Sequence, residues 1–421
     1  MSYFAIVAPI TVWKHPEADR LQLGKICDCQ VVTGLDTKSG DMMLFFPVDG
    51  QLSEQFAQAN DLIRRKDENG NNVGGMFDQN RKVRCQKLRG QKSEGFAIPI
   101  SSLSFAGDIS QLKEGDQFDT FNGVAICNKY ETPATKRAQA SQQRKLKKYN
   151  KMFPQHLDTK QFKYFADKIK VGSVIYTSTK LHGTSGRFGY VEEPITYGWF
   201  KKLINKVLPL KENKWTEISG TRRVVLDLQP AVTEYYGGDF RERSVSSLRG
   251  KLNKGEVVYF EVVGYSDLGA PIMPTVSTSK LQDKAIEKQF GKTMTYKYGC
   301  ADGEHKIFVY RITMVNEDGL QVDLDVESVK KRCVTLGVPY VPEPIPPFIY
   351  DGDVEKLKAL VESLITVRPS VLDQTHIEEG IVLRTGDSVD IELYKAKNYE
   401  FLVLEGVVKD NSEYVDMEEA S

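Results

Sequence analysis

The run Glu256-Val257-Val258-Tyr259-Phe260-Glu261-Val262-Val263-Gly264 constrains the fold more than any other stretch of the chain. Valines and aromatics at this density form a β-strand strongly. The chain must therefore build a sheet around residues 256–264. Glu261 is embedded in the apolar run, and a carboxylate in such a place needs a partner.

The 421 residues are enough for two or three domains, and 57 basic against 57 acidic side chains exclude a strongly cationic protein as a whole. No run of 18 apolar residues occurs, and the opening Met1-Ser2-Tyr3-Phe4-Ala5-Ile6-Val7 lacks a basic leader. The expectation is a soluble intracellular protein with no membrane association, in cytoplasm or nucleus alike. The six cysteines, at 27, 29, 85, 127, 300 and 333, have no C-x2-C spacing and read as structural thiols. Cys27 and Cys29 would share a face if they lie on one strand.

Residues 1–125 hold short β-like segments divided by Gly, Asp and Asn, such as Met42-Met43-Leu44-Phe45-Phe46. That composition suits a small β-barrel. The clusters Arg64-Arg65-Lys66 and Arg81-Lys82-Val83-Arg84 fit nucleic-acid binding and ordinary solvated loops equally. Residues 126–170 read as a basic linker and lead-in. From Lys136 to Lys170 there are eleven basic residues against two acidic ones, Asp158 and Asp167, and its first half has the composition of a helix or mobile linker. Phosphate-backbone contact is the better reading of that charge than a plain spacer. From 171 to about 405 strands return. Lys306 to Arg311 alternates, while Ile381 to Arg384 and Val389 to Lys397 look like the arms of a hairpin. Pro339 to Pro347 reads as a rigid extended connector, and Val354, Leu357, Val361, Leu364 and Ile365 form a helical stripe. Residues 406–421 read as an acidic tail.

Four separated elements make one chemical set: Lys180, Glu261, Glu379 and the pair Lys395 and Lys397. Residues two apart on a strand share a face, and two lysines on one face repel unless an anion lies between them. A nucleoside triphosphate supplies that anion. Carboxylates at 261 and 379 are the candidate ligands of the divalent metal that accompanies it. The plain alternative makes them salt-bridge partners of the lysines.

With these motifs in order, the chain resembles the covalent nucleotidyltransferases, the ATP-dependent DNA and RNA ligases and messenger-RNA capping enzymes. Lys180-Leu181-His182-Gly183 resembles the nucleotide-accepting motif, Ser219-Gly220-Thr221-Arg222-Arg223 the arginine-bearing motif, Phe260-Glu261 the third, Glu379-Gly380-Ile381-Val382 the E-G-x-V element and Lys395-Ala396-Lys397 the closing K-x-K. The resemblance implies that Lys180 forms a lysine-adenylate with ATP and that Lys395 and Lys397 stabilise the transferring phosphate. It also implies that Arg222 clamps ribose or phosphate, that Arg187 stands in for an arginine close behind the motif glycine, and that Thr179, His182 and Gly183 border the nucleotide. Phe308 is the candidate for stacking on adenine, with a core position as its alternative. Magnesium and manganese suit the carboxylates equally.

DNA ligases and capping enzymes typically show an aspartate where this chain has His182, and they carry their barrel after the K-x-K motif. Here 24 residues follow Lys397, and the β-rich part comes first. That order is similar to the Naegleria-type RNA ligases, in which an oligonucleotide-binding (OB) fold precedes the adenylyltransferase domain. The implied fold is α+β, an N-terminal OB-like β-barrel followed by a mixed α/β, ATP-grasp-like ligase domain of antiparallel sheets. The implied activity is ATP-dependent RNA ligation of 3′-hydroxyl and 5′-phosphate ends by a monomer, at nicks in duplex RNA or RNA–DNA hybrids. The alternatives are an ATP-dependent DNA ligase, a GTP-using capping guanylyltransferase, and an inactive nucleic-acid-binding homologue.

Overall fold

The structure, a computed structural model, describes residues 3–66, 72–130, 150–195, 213–222, 225–226, 243–281, 283–386, 388 and 390–405. The helix or linker expected before residue 150 falls largely outside these residues, and so does the acidic tail.

Glu256–Gly264 is, as its composition predicts, an interior strand. It lies between Thr184–Pro194 and His305–Val315 in a six-stranded antiparallel sheet that continues through Asn213–Thr221 and Val225–Leu226 on one side and Gln321–Asp323 on the other. Val258, Phe260 and Val262 face back onto the helix Val326–Leu336 through Val329, Cys333 and Leu336. Val257 and Tyr259 face forward, as does Glu261 by alternation. Between Tyr259 and Phe260 the ladder to the next strand slips by one residue, since Tyr259 pairs with Arg311 and Phe260 with Val309. Tyr310 is the extra residue of this bulge.

A second sheet has five strands in the order Lys160–Gln161, Glu392–Lys397, Gly380–Thr385, Val174–Lys180 and Phe348–Ile349. The hairpin expected around residues 381–397 is its centre, antiparallel from Gly380 opposite Lys397 to Thr385 opposite Glu392. The helical stripe is borne out as Val354–Ile365, which buries Leu357, Val361 and Leu364 against Ile175, Ile381, Leu383 and Tyr394 on the back of this sheet. The proline-rich connector ties the two sheets together. Val309 N–H donates to Pro339 O at 2.9 Å in the first sheet, and Thr179 N–H donates to Pro342 O at 2.7 Å in the second.

The N-terminal part corrects one expectation: among the described residues no sheet closes into a barrel, so the OB-like β-barrel is not formed. The chain builds a four-stranded sheet in the order Gly95–Pro99, Met42–Pro47, Ala5–Pro9 and Gln117–Phe118, a separate three-stranded sheet from Thr11 to Gly34, and several two-stranded ribbons. Closure needs a continuous ladder around the ring. Three of the four longer-sheet strands end on a proline, Pro9, Pro47 or Pro99, which has no N–H to carry the ladder on. The fourth strand spans only two residues. Both faces of the four-stranded sheet are covered, Leu44 and Phe46 by one cluster and Met43 and Phe45 by another. That is why Met42 to Phe46 is apolar throughout rather than alternating.

Cys27 and Cys29 do not share a strand. Cys27 sits in the turn with φ 47°, and burial pushes both thiols up to about 12. The basic clusters are paired internally, Arg64 and Arg84 near Asp78 and Arg65 with Asp61. His15 is buried, with Nε2 3.2 Å from Leu88 O and Nδ1 accepting from the Glu17 N–H. The N-terminal part packs on the rest through Cys85 and Val48, which join the cluster containing Leu181 and Phe401. Among the described residues no helix is long and apolar enough to cross a membrane.

Arg332 fastens the rear helix to the first sheet, with Nε 2.7 Å from Glu256 Oε1 and Nη2 2.8 Å from Oε2. Glu256 is buried, so Arg332→Ala strands its carboxylate with the Asn253 N–H as its remaining partner among these bonds. The expected loss is about 3–5 kcal/mol in chemical denaturation; a loss below about 1 kcal/mol would contradict a buried pair.

Candidate active site

The front faces of the two sheets enclose a cleft, and the strand register sets its charged floor. Lys180 is opposite Gly380, which is opposite Lys397; in the next row on that face Ser178 is opposite Val382, which is opposite Lys395. Gly380 carries no side chain between the two lysines. A Cβ there would lie 2.1 Å from Ala396 O, and its φ of +150° also favours glycine. Gly183 is constrained in the same way, since a Cβ would lie 2.3 Å from Val262 O.

Glu379 precedes that glycine and is 1% exposed. Its Oε1 accepts from both Lys180 Nζ and Lys397 Nζ, each at 2.8 Å. Burial alone would raise its pKa, but Lys180, Lys397 and His182 together hold the carboxyl well below its usual range. Its Oε2 has only the longer 3.5 Å approach of His182 Nδ1. The His182 imidazole also lies 3.3 Å from Glu405 Oε1, and the His182 backbone N–H donates to Tyr298 Oη at 2.7 Å. Desolvation pulls the imidazole down, yet the two carboxylates outweigh it and raise its pKa.

Glu261 meets this group from the other sheet. Ser185 Oγ donates to Glu261 Oε2 at 3.1 Å. Desolvation, opposed by Lys180 and reinforced by Glu379, lifts the Glu261 pKa to about 7. Lys395 is buried, and desolvation followed by Lys397, Lys180, Arg222 and Lys129 brings its pKa down to about 7.

Arg222 lines the cleft and donates from Nη2 to Asp158 Oδ1 at 2.7 Å. Arg187 lies elsewhere, 1% exposed, with Nη1 donating to the carbonyls of Phe153 and Pro154. Thr179 is buried beside the lysine, and Phe308 is buried in the core with Leu181 and Val263. The aromatic walls of the cleft are instead Tyr176, Tyr310 and Tyr340, joined by His156. No motif in the sequence singles these out. Tyr310 is two residues from Phe308 on a strand already singled out, and Tyr340 lies inside the connector, but neither the bulge nor the connector's bridging role has a sequence signature.

Among the described residues no three His, Cys, Asp or Glu side chains converge as a metal cage. The donor set still fits a divalent ion held by one or two carboxylates, with phosphate and water completing its shell, as magnesium and manganese accept. Glu379 Oε2 and Glu261 are the available oxygens. The basic floor and tyrosine walls are chemically suited to an aromatic base carrying a polyphosphate.

No protein-family model matches the chain, and no curated protein matches it in sequence. Solved structures of Naegleria gruberi RNA ligase do match it along nearly its full length. An aspartate-to-alanine mutant without ligand has 14% identity, a TM-score of 0.60 and coverage of 96% of this chain and 98% of that one. A lysine-to-alanine mutant with ATP and manganese has 15% identity, a TM-score of 0.59 and coverage of 97% and 99%. The ligase with pyrophosphate has 15% identity, a TM-score of 0.60 and coverage of 94% and 97%. The chain thus has the fold seen in those RNA-ligase structures.

Desolvation first, then the charges of Lys397, Lys180, Arg222 and Lys129, places the pKa of Lys395 at about 7, so deprotonation is expected as pH rises through that range. A bound polyphosphate reverses that repulsion and raises its pKa, so binding takes up a proton. Pyrophosphate should therefore bind native protein more tightly at pH 6 than at pH 8 by a larger factor than it binds Lys395→Met. Calorimetry at the two pH values checks this; an identical factor for both proteins would contradict it.

Proposed function

We propose that this protein is an ATP-dependent RNA ligase that works through a lysine-AMP intermediate at Lys180. The observation that carries the reading is the convergence of Lys180 and Lys397 on one oxygen of the buried Glu379, with Lys395 in the adjacent row of the floor. An ammonium pair held by one carboxylate presents positive charge to a phosphate chain with its mutual repulsion partly offset. The likeness of fold to an RNA ligase gives that charge a reaction to serve.

Lys180 Nζ, once it has lost its proton, attacks the α-phosphorus of ATP. The N–P bond forms as the P–O bond to pyrophosphate breaks. Lys395 and Lys397 hold the phosphate oxygens and neutralise charge that builds on them during transfer. Arg222 is placed to hold ribose or phosphate. Tyr310 and Tyr340 offer the base an aromatic surface, a task for which Phe308 is too deeply buried. Glu379 and Glu261 would hold magnesium or manganese, which supplies positive charge to the phosphates and loosens the carboxylate's grip on the Lys180 proton. The AMP then passes to an RNA 5′-phosphate, and a 3′-hydroxyl displaces it to seal the strand. Nicked duplex RNA or an RNA–DNA hybrid is the proposed substrate form.

Incubation with ATP labelled at the α-phosphate and a divalent metal should leave label on the native protein and none on Lys180→Ala. Lys395→Ala and Lys397→Ala should lower the labelling rate about 10²–10³-fold. Label on Lys180→Ala would refute the nucleophile. Preferential labelling from GTP would point to a capping guanylyltransferase, and efficient sealing of all-deoxyribose nicks to a DNA ligase. Absence of label from either nucleotide would indicate a nucleic-acid-binding protein without this chemistry.

A further inference from the structure

We propose that His156 is a positioning residue of the cleft, fixing the Tyr310 side chain against which the purine base rests; this depends on the cleft being an ATP site. Tyr310 occupies the bulge, with no residue of the neighbouring strand paired to it, so the ladder does not by itself fix its side chain. Its hydroxyl lies 2.8 Å from His156 Nδ1, and both residues line the cleft.

The imidazole is itself held from several sides. The His156 backbone N–H donates to Arg222 O at 3.4 Å, and the ring meets Tyr259 edge-on with centroids 5.0 Å apart. The preceding Pro154 carbonyl accepts from both Tyr259 Oη at 2.9 Å and Arg187 Nη1 at 2.6 Å. Arg187, buried away from the cleft, thus anchors the segment that carries His156.

The charge state suits the task. Burial, then Arg222, Arg187 and Arg311, hold the imidazole pKa down to about 3. A neutral ring keeps a lone pair, and with Nδ1 accepting from the Tyr310 hydroxyl the ring proton is assigned to Nε2. An imidazolium could only donate and would have nothing to offer the phenol proton.

The test measures lysine-AMP formation against ATP concentration in the full-length protein, for His156→Leu, His156→Asn, Tyr310→Phe and the double variant His156→Leu/Tyr310→Phe. Loss of one hydrogen bond that orders a binding wall should raise KM about tenfold and change kcat less than about threefold. His156→Leu and Tyr310→Phe should each show this, and the double variant should be no worse than either because they break the same contact. His156→Asn, which keeps an acceptor near the Nδ1 position, should restore KM to within about threefold of native. The inference is overturned by multiplying effects in the double variant, or by native KM in Tyr310→Phe, which removes only a hydroxyl and so still decides the matter if His156→Leu does not fold. If native protein forms lysine-AMP and these variants match it, the ligase reading stands and only this inference falls. If native protein forms none, both fall.

Discussion

One buried carboxylate governs the geometry of the cleft. Glu379 draws together lysines from the two strands that flank Gly380–Thr385, the strand it leads into, and it can do so because Gly380 places no side chain between them. Removing that carboxylate would leave Lys180, Lys395 and Lys397 to repel one another in a partly desolvated site. Its low pKa in turn depends on the lysines, since burial alone would raise it. The arrangement is poised for exchange. Under the proposed function, a phosphate chain and a divalent ion would take over the roles of carboxylate and ammonium without leaving either uncompensated.

The two sheets hold this group from opposite sides. The connector from Pro339 to Pro342 hydrogen-bonds to a strand of each, fixing their separation while contributing Tyr340 and Val341 to the cleft. On the far wall a bulge brings Tyr310 and Arg311 into the lining, and the segment from Phe153 to Thr159 lies over it, pinned by Arg187, Tyr259 and Arg222. Arg187 therefore belongs to the architecture that carries this wall of the cleft.

How far the sequence reaches depends on the range of each interaction. The strand through Glu261, the hairpin ending in Lys395 and Lys397 and the helix from Val354 were legible because each is encoded by local periodicity. The meeting of Lys180, Glu261, Glu379 and Lys397 followed from chemical complementarity, since lone charges in apolar strands need partners. The barrel is not legible because short β-like segments fix strand content but not closure, which the prolines that end three of the strands oppose. That Tyr310 rather than Phe308 lines the cleft has no sequence signature, because a bulge is a pairing between two strands and neither strand shows it alone. His156 was hidden in a lysine-rich stretch whose charge dominates its composition.

Peptide mapping by mass spectrometry tests the central claim most directly. Native protein and Glu379→Gln would be incubated with ATP and magnesium, quenched, digested and scanned for AMP on every lysine-containing peptide. The account predicts AMP on Lys180 alone in native protein, and formation at least about 100-fold slower when Glu379 can no longer gather the lysines. AMP on a different residue, or native-rate modification of Lys180 in Glu379→Gln, would contradict it.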